Sequence, residues 1–541
     1  MNHNLPERML LSGDEAVALA AFNAGVHLGT GYPGTPSTEI LEALGQLGGK
    51  AQWAPNEKVA LEVAIGAAFG GARSLVTMKH VGVNVAADAL FTVAYTGVTG
   101  GLVLVSADDP GMASSQNEQD NRQYARAAGL IMLEPADSQQ AYDFTGAAFA
   151  ISEQFGQPVM LRMTTRVCHS KSIVVQKPLP QPAEPNFQRD IASRVMIPAY
   201  ARPAHHKMRE RLARAAAWAE SSPLTIREDR GGQLGIIANG ISAAHAREAA
   251  PDASILQLGF SYPLPMQAIR DFAASVERCV VVEEGDPFLV TELLAAGIPV
   301  EGKSERFRFG ELNVDRVRRI LAHDESEEAK APAGKPPMLC EGCSHRPVFE
   351  TLHELDCIVA GDIGCYTLSV LPPFSAMDTC VCMGASIGVG LGLRHVLPED
   401  QAKRVVSVIG DSTFMHSGLT GLAEMIYNPP ATGHVLLLLD NGTTAMTGQQ
   451  EHPGTGRSLL HDAANKINFE EVIRAMGVKH VVTVDPLASD GSLKAAITSA
   501  LASGELAVVV TRRPCILAAP KIRVYERAIA EKQASCACQA E

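Results

Sequence analysis

Apolar positions in this chain fall into short unbroken runs separated by longer amphipathic stretches, the pattern of strands buried on both faces alternating with helices. Ser74 to Met78, Leu102 to Ser106 and Pro158 to Met163 read as such strands. So do Leu234 to Ala238, Ser254 to Leu258 and Cys279 to Glu283, then Val405 to Ile409 and His434 to Leu439. Between them, Asp14 begins an Ala-rich helix ending near Gly25. Ser37 or Thr38, with Glu39 behind it, caps a second helix, and Glu57 to Gly70 forms a third of small residues. The alternation predicts an α/β protein with parallel sheets.

Two stretches break the rhythm. Residues 186–232 are rich in Pro and charge and read as a linker-like crossing, with HHKMRERLARAAAWAE as a solvated helix inside it. Residues 324–337, DESEEAKAPAGKPP, read as a linker outright. They leave folded segments at 1–185, 233–323 and 338–520, and a tail at 521–541 that reads as frayed and disordered. Three segments agree with the length, since 541 residues are too many for one core and suggest about three.

The formal charge of −13 argues against a nucleic-acid or anionic-membrane surface. Acidic residues and a Gly interrupt the only apolar part of the N-terminus, which is unlike a signal peptide, and no run reaches membrane-spanning length. A cytoplasmic chain is expected, in which eleven cysteines are free thiols or metal ligands and not disulfides. Cys168, Cys279, Cys357, Cys380 and Cys382 lie among apolar residues and read as small core residues.

Candidate chemistry is densest at residues 405–457. A strand ends at Gly410-Asp411-Ser412 and the next at Asp440-Asn441-Gly442. In parallel sheets ligands bind beyond the carboxyl ends of strands. Asp411, the Asn441 amide and the Thr443 carbonyl make a sparse oxygen set that suits Mg²⁺ holding a diphosphate, beside a helix start that favours anions. An ordinary crossover with capping polar residues is the plainer reading. Glu57 at a helix start has a plain reading too, since a carboxylate is stable there. Cys340-x₂-Cys343 with Cys365 and Cys515, each near a strand end, could enclose zinc or an iron–sulfur cube.

The phrases GDSTFMHSGLTGL and LDNGTTAMTGQQEHPGTG, with PMLCEGCSHRP and YPGTPST, resemble the alpha subunits of the indolepyruvate ferredoxin oxidoreductases, which use thiamine diphosphate (TPP). Asn441 lies 30 positions after Asp411, as in the diphosphate motif of TPP enzymes, and Ser412 stands where that motif has Gly. The resemblance implies a pyrimidine-binding domain at 1–185, a transketolase C-terminal-like domain at 233–323 and a diphosphate-binding domain at 338–520. It implies Glu57, 25 positions before Gly82, as the acid that activates the cofactor, in preference to Glu62. Gly34, Asn84, Gly410, Asp411, Ser412, Asn441 and Thr443 would bind TPP and its Mg²⁺. Thr35 and His80 would join Glu57 as catalytic residues, and Thr35, Ser115 and Gln116 would face the substrate, with Lys79 and His80 ending a strand nearby.

The resemblance also decides the cysteines in favour of a [4Fe–4S] cluster on Cys340, Cys343, Cys365 and Cys515. The implied reaction is oxidative decarboxylation of an aromatic 2-oxoacid with coenzyme A (CoA), electrons leaving to ferredoxin or another acceptor. A non-oxidative TPP decarboxylase or carboligase, or a non-catalytic assembly subunit, are the alternatives. A small beta subunit and a heterotetramer are implied, with two alpha chains or two halves meeting at the cofactor. The family's ferredoxin-like extension with CxxCxxCxxxC runs is not seen before the end at ERAIAEKQASCACQAE.

Overall fold

In the computed structural model, which describes residues 8–328, 334 and 336–540, the chain forms two compact units, Met1–Lys330 and Ala331–Glu541. The first unit holds a seven-stranded sheet, a four-stranded sheet and a two-stranded pair.

The seven-stranded sheet runs Phe260–Tyr262, Ile131–Leu133, Val159–Thr164, Leu102–Asp108, Ser74–Lys79, Leu28–Gly31, Ala51–Trp53. Its pairs are parallel except for Phe260–Tyr262, which comes from the following segment and pairs antiparallel. The central strands are buried along their whole length, as their unbroken apolar runs require. The first helix, Gly13–Asn23, starts one residue before Asp14 because Ser12 caps it. The Ser12 hydroxyl accepts from the Glu15 amide while the Glu15 carboxylate accepts from the Ser12 amide. Ser37 makes no such cap on Thr38–Gln46; its hydroxyl donates to the Gly34 carbonyl.

The crossing at 186–232 differs from the linker expected of it. Helix Pro198–Ala219 buries Ala204, Met208, Leu212, Ala215 and Ala219, spaced three or four apart, and Met208 joins the core under the first sheet. The four-stranded sheet follows, with Arg278–Val282, Leu234–Asn239 and Ser254–Leu258 parallel and Ile226–Glu228 antiparallel at its edge.

A buried ion network ties these two sheets together. Arg162, 2% exposed, donates to Asp108 at 2.6 Å and to Glu134. Glu134 also accepts from Asn239 and Ser261, each at 2.6 Å. Arg122, fully buried, donates to Asp120 and to Glu283, each at 2.6 Å, and to the Glu284 carbonyl at 2.8 Å. Three backbone amides, of Phe288, Leu289 and Val290, complete Glu283. Burial pushes the Glu284 carboxyl up to about 7.

The second unit is a five-stranded parallel sheet in the order Ile358–Ala360, Val405–Gly410, His434–Asp440, Leu506–Arg512, His480–Val484. An apolar cluster covers each face. The tail expected to be disordered is helix Ala519–Ala540. Ile522 is buried in it, Tyr525 stacks on His461 at 3.9 Å, and Lys532 pairs with Asp462 at 2.6 Å. The side chains of Cys536 and Cys538 lie outside the described residues. Cys380 and Cys382 are exposed and not core residues, because they sit on the loop leading into helix Ala385–Val396. Among the described residues, no helix is long and apolar enough to cross a membrane.

Candidate functional site

In the second unit Gly410 pairs in register with Leu439, so Asp411 and Asn441 leave adjacent strands at the same edge. Asp411 is 2% exposed. Its Oδ1 accepts from the Ser412 amide and its Oδ2 from the Gly442 amide, each at 2.8 Å, with His452 Nε2 at 3.2 Å. Burial opposes the charge, but His452 and the two amides outweigh it and hold the carboxyl below its ordinary value. Asn441 turns its Oδ1 to the Thr443 amide at 3.1 Å and its Nδ2 to His345 Nε2 at 3.3 Å. Burial lowers His345 to about 4, so it is neutral here. Thr443 is buried, its hydroxyl donating to the Gln450 carbonyl at 3.1 Å, and Ser412 accepts from the Thr444 hydroxyl at 2.8 Å.

The turn is rigid for a steric reason. A Cβ on Gly410 would stand 2.9 Å from the Tyr366 ring, whose hydroxyl accepts from the Gly410 amide at 2.9 Å and donates to the Ile363 carbonyl at 3.1 Å. Downstream the chain is helical in three steps: one turn at Asp411–Thr413, a wide π turn at Phe414–Gly418, then Leu419–Tyr427. Such wide turns recur at functional sites.

The cysteines converge beside this edge. The Cys515 amide donates to the Asn441 carbonyl at 2.8 Å. Gly342, inside the Cys340–Cys343 turn, approaches Ile516 so closely that a Cβ would stand 3.0 Å from its Cδ1. Burial, and next the neighbouring thiols of Cys515, Cys343 and Cys340, push Cys365 up to about 11. Cys343 is raised by burial, with Cys340 and Cys515 adding to it. Among the described residues, no three of these sulfurs lie within 4.8 Å of one another.

In the first unit Glu57 opens helix Glu57–Phe69 behind the Asn56 cap and is 5% exposed. Its carboxylate lies over Gly82, where a Cβ would stand 2.6 Å from Oε1 and push the carboxylate aside. Gly34 packs on Lys79, and the half-buried Thr35 precedes a cis proline in the same loop. His80 is fully buried. Its Nε2 lies 3.1 Å from the Asn117 carbonyl, and burial lowers its pKa. Lys79 donates to the Ser114 carbonyl at 2.7 Å, and burial lowers its pKa too. Ser115 gives its hydroxyl to Asp109. Asn84 and Gln116 are exposed, Asn84 bonding Gln119 and Tyr124.

Two family models match this chain. Residues 19–228 match the thiamine diphosphate-binding part of pyruvate flavodoxin/ferredoxin oxidoreductases, and residues 362–511 the C-terminal TPP-binding domain of thiamine pyrophosphate enzymes. The chain is 39% identical to the indolepyruvate oxidoreductase subunit IorA of Archaeoglobus fulgidus over 94% of its own length and 87% of that relative's. The subunit of the same name from Pyrococcus horikoshii is 38% identical over 94% and 86%. The chain belongs to the indolepyruvate oxidoreductase alpha-subunit family. It is thus a TPP-dependent 2-oxoacid oxidoreductase chain. A 2-oxoglutarate:ferredoxin oxidoreductase from Magnetococcus marinus, with 2-oxoglutarate, coenzyme A and succinyl-CoA bound, shares the fold. The TM-score is 0.51 at 15% identity, over 59% of this chain and 65% of that one.

As a member of this indolepyruvate oxidoreductase family the chain has TPP as its cofactor, and the donor set fits. Asp411 is an ionised, buried carboxylate with no Lys or Arg in ion-pairing reach among the described residues, the condition a divalent cation relieves. Sequence reasoning missed His345, His452, Tyr366 and Asp362. Asp362 is fully buried and accepts from the Ile363, Gly384 and Ser386 amides, fixing the start of helix Ala385–Val396. His345 and His452 stand inside the phrases PMLCEGCSHRP and QQEHPGTG, so the signal was present; their approach to Asn441 and Asp411 is set by the fold.

Proposed function

We propose that this chain carries the oxidative decarboxylation of an arylpyruvate of the indolepyruvate type. The balance is 2-oxoacid anion plus CoA giving acyl-CoA, CO₂, one proton and two electrons. The observation that carries the oxidative reading is the hydrogen bond from the Cys515 amide to the Asn441 carbonyl, which sets a thiol ligand next to the diphosphate-type strand end. A non-oxidative decarboxylase has no use for four thiols there.

When bound, TPP supplies a carbon nucleophile for the keto group and an electron sink for CO₂ loss. Asp411, Asn441 and the Thr443 carbonyl would hold Mg²⁺ on its diphosphate, and Ser412 with the Gly410 turn would line that clamp. Glu57 would hold a proton at the aminopyrimidine nitrogen and so set the tautomer that activates the thiazolium carbon. Its placement over Gly82 restricts where that proton can go. Gly34 and Asn84 would add contacts on the pyrimidine side. Thr35, His80, Ser115 and Gln116 would face the 2-oxoacid. Ser115 is small, which leaves room for an aromatic side chain, and Lys79 brings a positive charge for the substrate carboxylate.

Cys340, Cys343, Cys365 and Cys515 would hold a [4Fe–4S] cluster. Zn²⁺ at ~2.3 Å from each sulfur needs sulfurs about 3.8 Å apart. Among the described residues no three of the four sulfurs stand within 4.8 Å of one another, so they do not form that zinc shell as they stand. A cluster passes electrons singly to ferredoxin or another acceptor. The relatives are named as subunits, and we assign this chain a small beta subunit as partner in a heterotetramer of the cytoplasm.

Anaerobic co-purification with the partner, counting iron, sulfide and TPP, tests the assignment. Dye reduction is then compared over indolepyruvate, phenylpyruvate and pyruvate. Glu57→Gln should keep TPP bound yet lower dye reduction on the order of 10³-fold, within the range of proton-transfer catalysis. A colourless protein without sulfide, or turnover retained in Glu57→Gln, overturns it.

A further inference from the structure

Three helix ends of the first unit bring together side chains that the reaction above leaves unused. Asp14 lies in the first turn of Gly13–Asn23, Glu39 in the first turn of Thr38–Gln46, and His169 ends Thr165–His169. One ligand atom from each lies within 4.8 Å of the others. The approach is built into the sequence. A Cβ on Gly13 would stand 2.2 Å from the Val167 carbonyl, so Gly13 lets the first helix start close against the segment that ends in His169.

Asp14 is the telling member. It is 0% exposed, and neither carboxylate oxygen accepts a well-formed hydrogen bond; the Cys168 thiol and Glu39 are its polar neighbours. Nor is it needed as a cap, because Ser12 and Glu15 already satisfy that helix start. A buried carboxylate beside a second one costs free energy unless a proton or a cation sits between them. Burial, and next the Glu39 charge, accordingly push Asp14 well above its ordinary value. The imidazole favours the cation, since it brings a third donor atom to the same point.

We propose that Asp14, Glu39 and His169 form a structural site for a divalent transition-metal ion. Two carboxylates and one imidazole suit Mn²⁺, Fe²⁺ or Zn²⁺ better than the all-oxygen shells of Mg²⁺ and Ca²⁺. Glu39 and His169 are exposed, so the ion enters from solvent and keeps waters on its outer side. Glu39 is four residues from Thr35, so the ion would pin the loop that carries Thr35 to the start of the first helix.

The test is Mn²⁺ alone, titrated into the full-length protein with electron paramagnetic resonance counting bound ion, because Mn²⁺ binds thiols poorly. The wild type should bind one more Mn²⁺ per chain than His169→Ala or Glu39→Gln, and show nitrogen hyperfine coupling that His169→Ala removes. Both substitutions are at exposed residues, so folding should survive, and thermal melting with and without Mn²⁺ checks it. The extra equivalent should persist in Asp411→Asn, which separates this site from the diphosphate clamp and from any result on turnover. Equal Mn²⁺ counts in the wild type and His169→Ala, or nitrogen coupling that survives His169→Ala, would overturn the proposal.

Discussion

Two gatherings of buried polar and charged groups, one around Arg122 and Arg162 and one around Asp411, are built on opposite plans. Around Arg122 and Arg162 the carboxylates are held in ion pairs: Asp108, Glu134 and Glu283 each meet a guanidinium, Asn239, Ser261 and three backbone amides take remaining valences, and Glu284, outside those pairs, is pushed by burial up to about 7. Around Asp411 the partners are two backbone amides and the His452 imidazole, with no Lys or Arg in ion-pairing reach among the described residues. The first plan is closed and holds two sheets together. The second is open and has capacity left for a cation. Buried charge alone therefore does not mark a site; what marks it is charge the protein does not itself neutralise.

Four substitutions or conditions would break or sharpen that contrast. Asp411→Asn should weaken Mg²⁺–TPP binding, read by calorimetry, on the order of 10³-fold, beyond the 10–100-fold cost of losing an outer partner. It should leave the urea midpoint near the wild-type value, since no cation is stranded. Arg162→Met strands Asp108 and Glu134 instead. It should cost about 3–5 kcal/mol in urea unfolding with little direct effect on TPP affinity. Gly82→Ala pushes against the Glu57 carboxylate. Steady-state assay should show kcat reduced by about 10²-fold, the cost of a misplaced catalytic group, with TPP still bound.

The smallest effect is one of pH. Burial lowers His434 to about 3, and in the fold it bonds the Ser407 hydroxyl at 2.8 Å. The unfolded chain takes up its proton near pH 6.5 and the folded chain does not. Stability is therefore lost as pH falls below about 6.5, at about 1.4 kcal/mol per pH unit. Relative to His434→Gln, the wild type should lose stability at that slope between about pH 6.5 and 4; parallel melting curves would refute it.

Much of this was legible before any coordinates. The runs Val405 to Ile409 and His434 to Leu439 read as interior strands, and in the fold they carry Asp411 and Asn441 to one edge. Likeness to a known family directed attention to Glu57, and in the fold its carboxylate packs against Gly82. What escaped had physical reasons. Helix Pro198–Ala219 hides a five-residue apolar stripe among many charges, so it read as solvated. Arg162, inside the strand read over Pro158 to Met163, drew no attention, because its partners Asp108 and Glu134 come from other elements. His345 and His452 reach Asn441 and Asp411 only through the closed fold. The tail's helix was missed because its anchors, His461 and Asp462, lie far back in the chain.

The bond between the Cys515 amide and the Asn441 carbonyl has one more consequence. A peptide that belongs to one prospective ligand set hangs directly on a peptide of the other, so occupancy of either shifts the energy of both by the same amount, as thermodynamic reciprocity demands. On the proposed assignment, stripping the iron should weaken coenzyme binding, and saturating with coenzyme should tighten iron binding by an equal free energy.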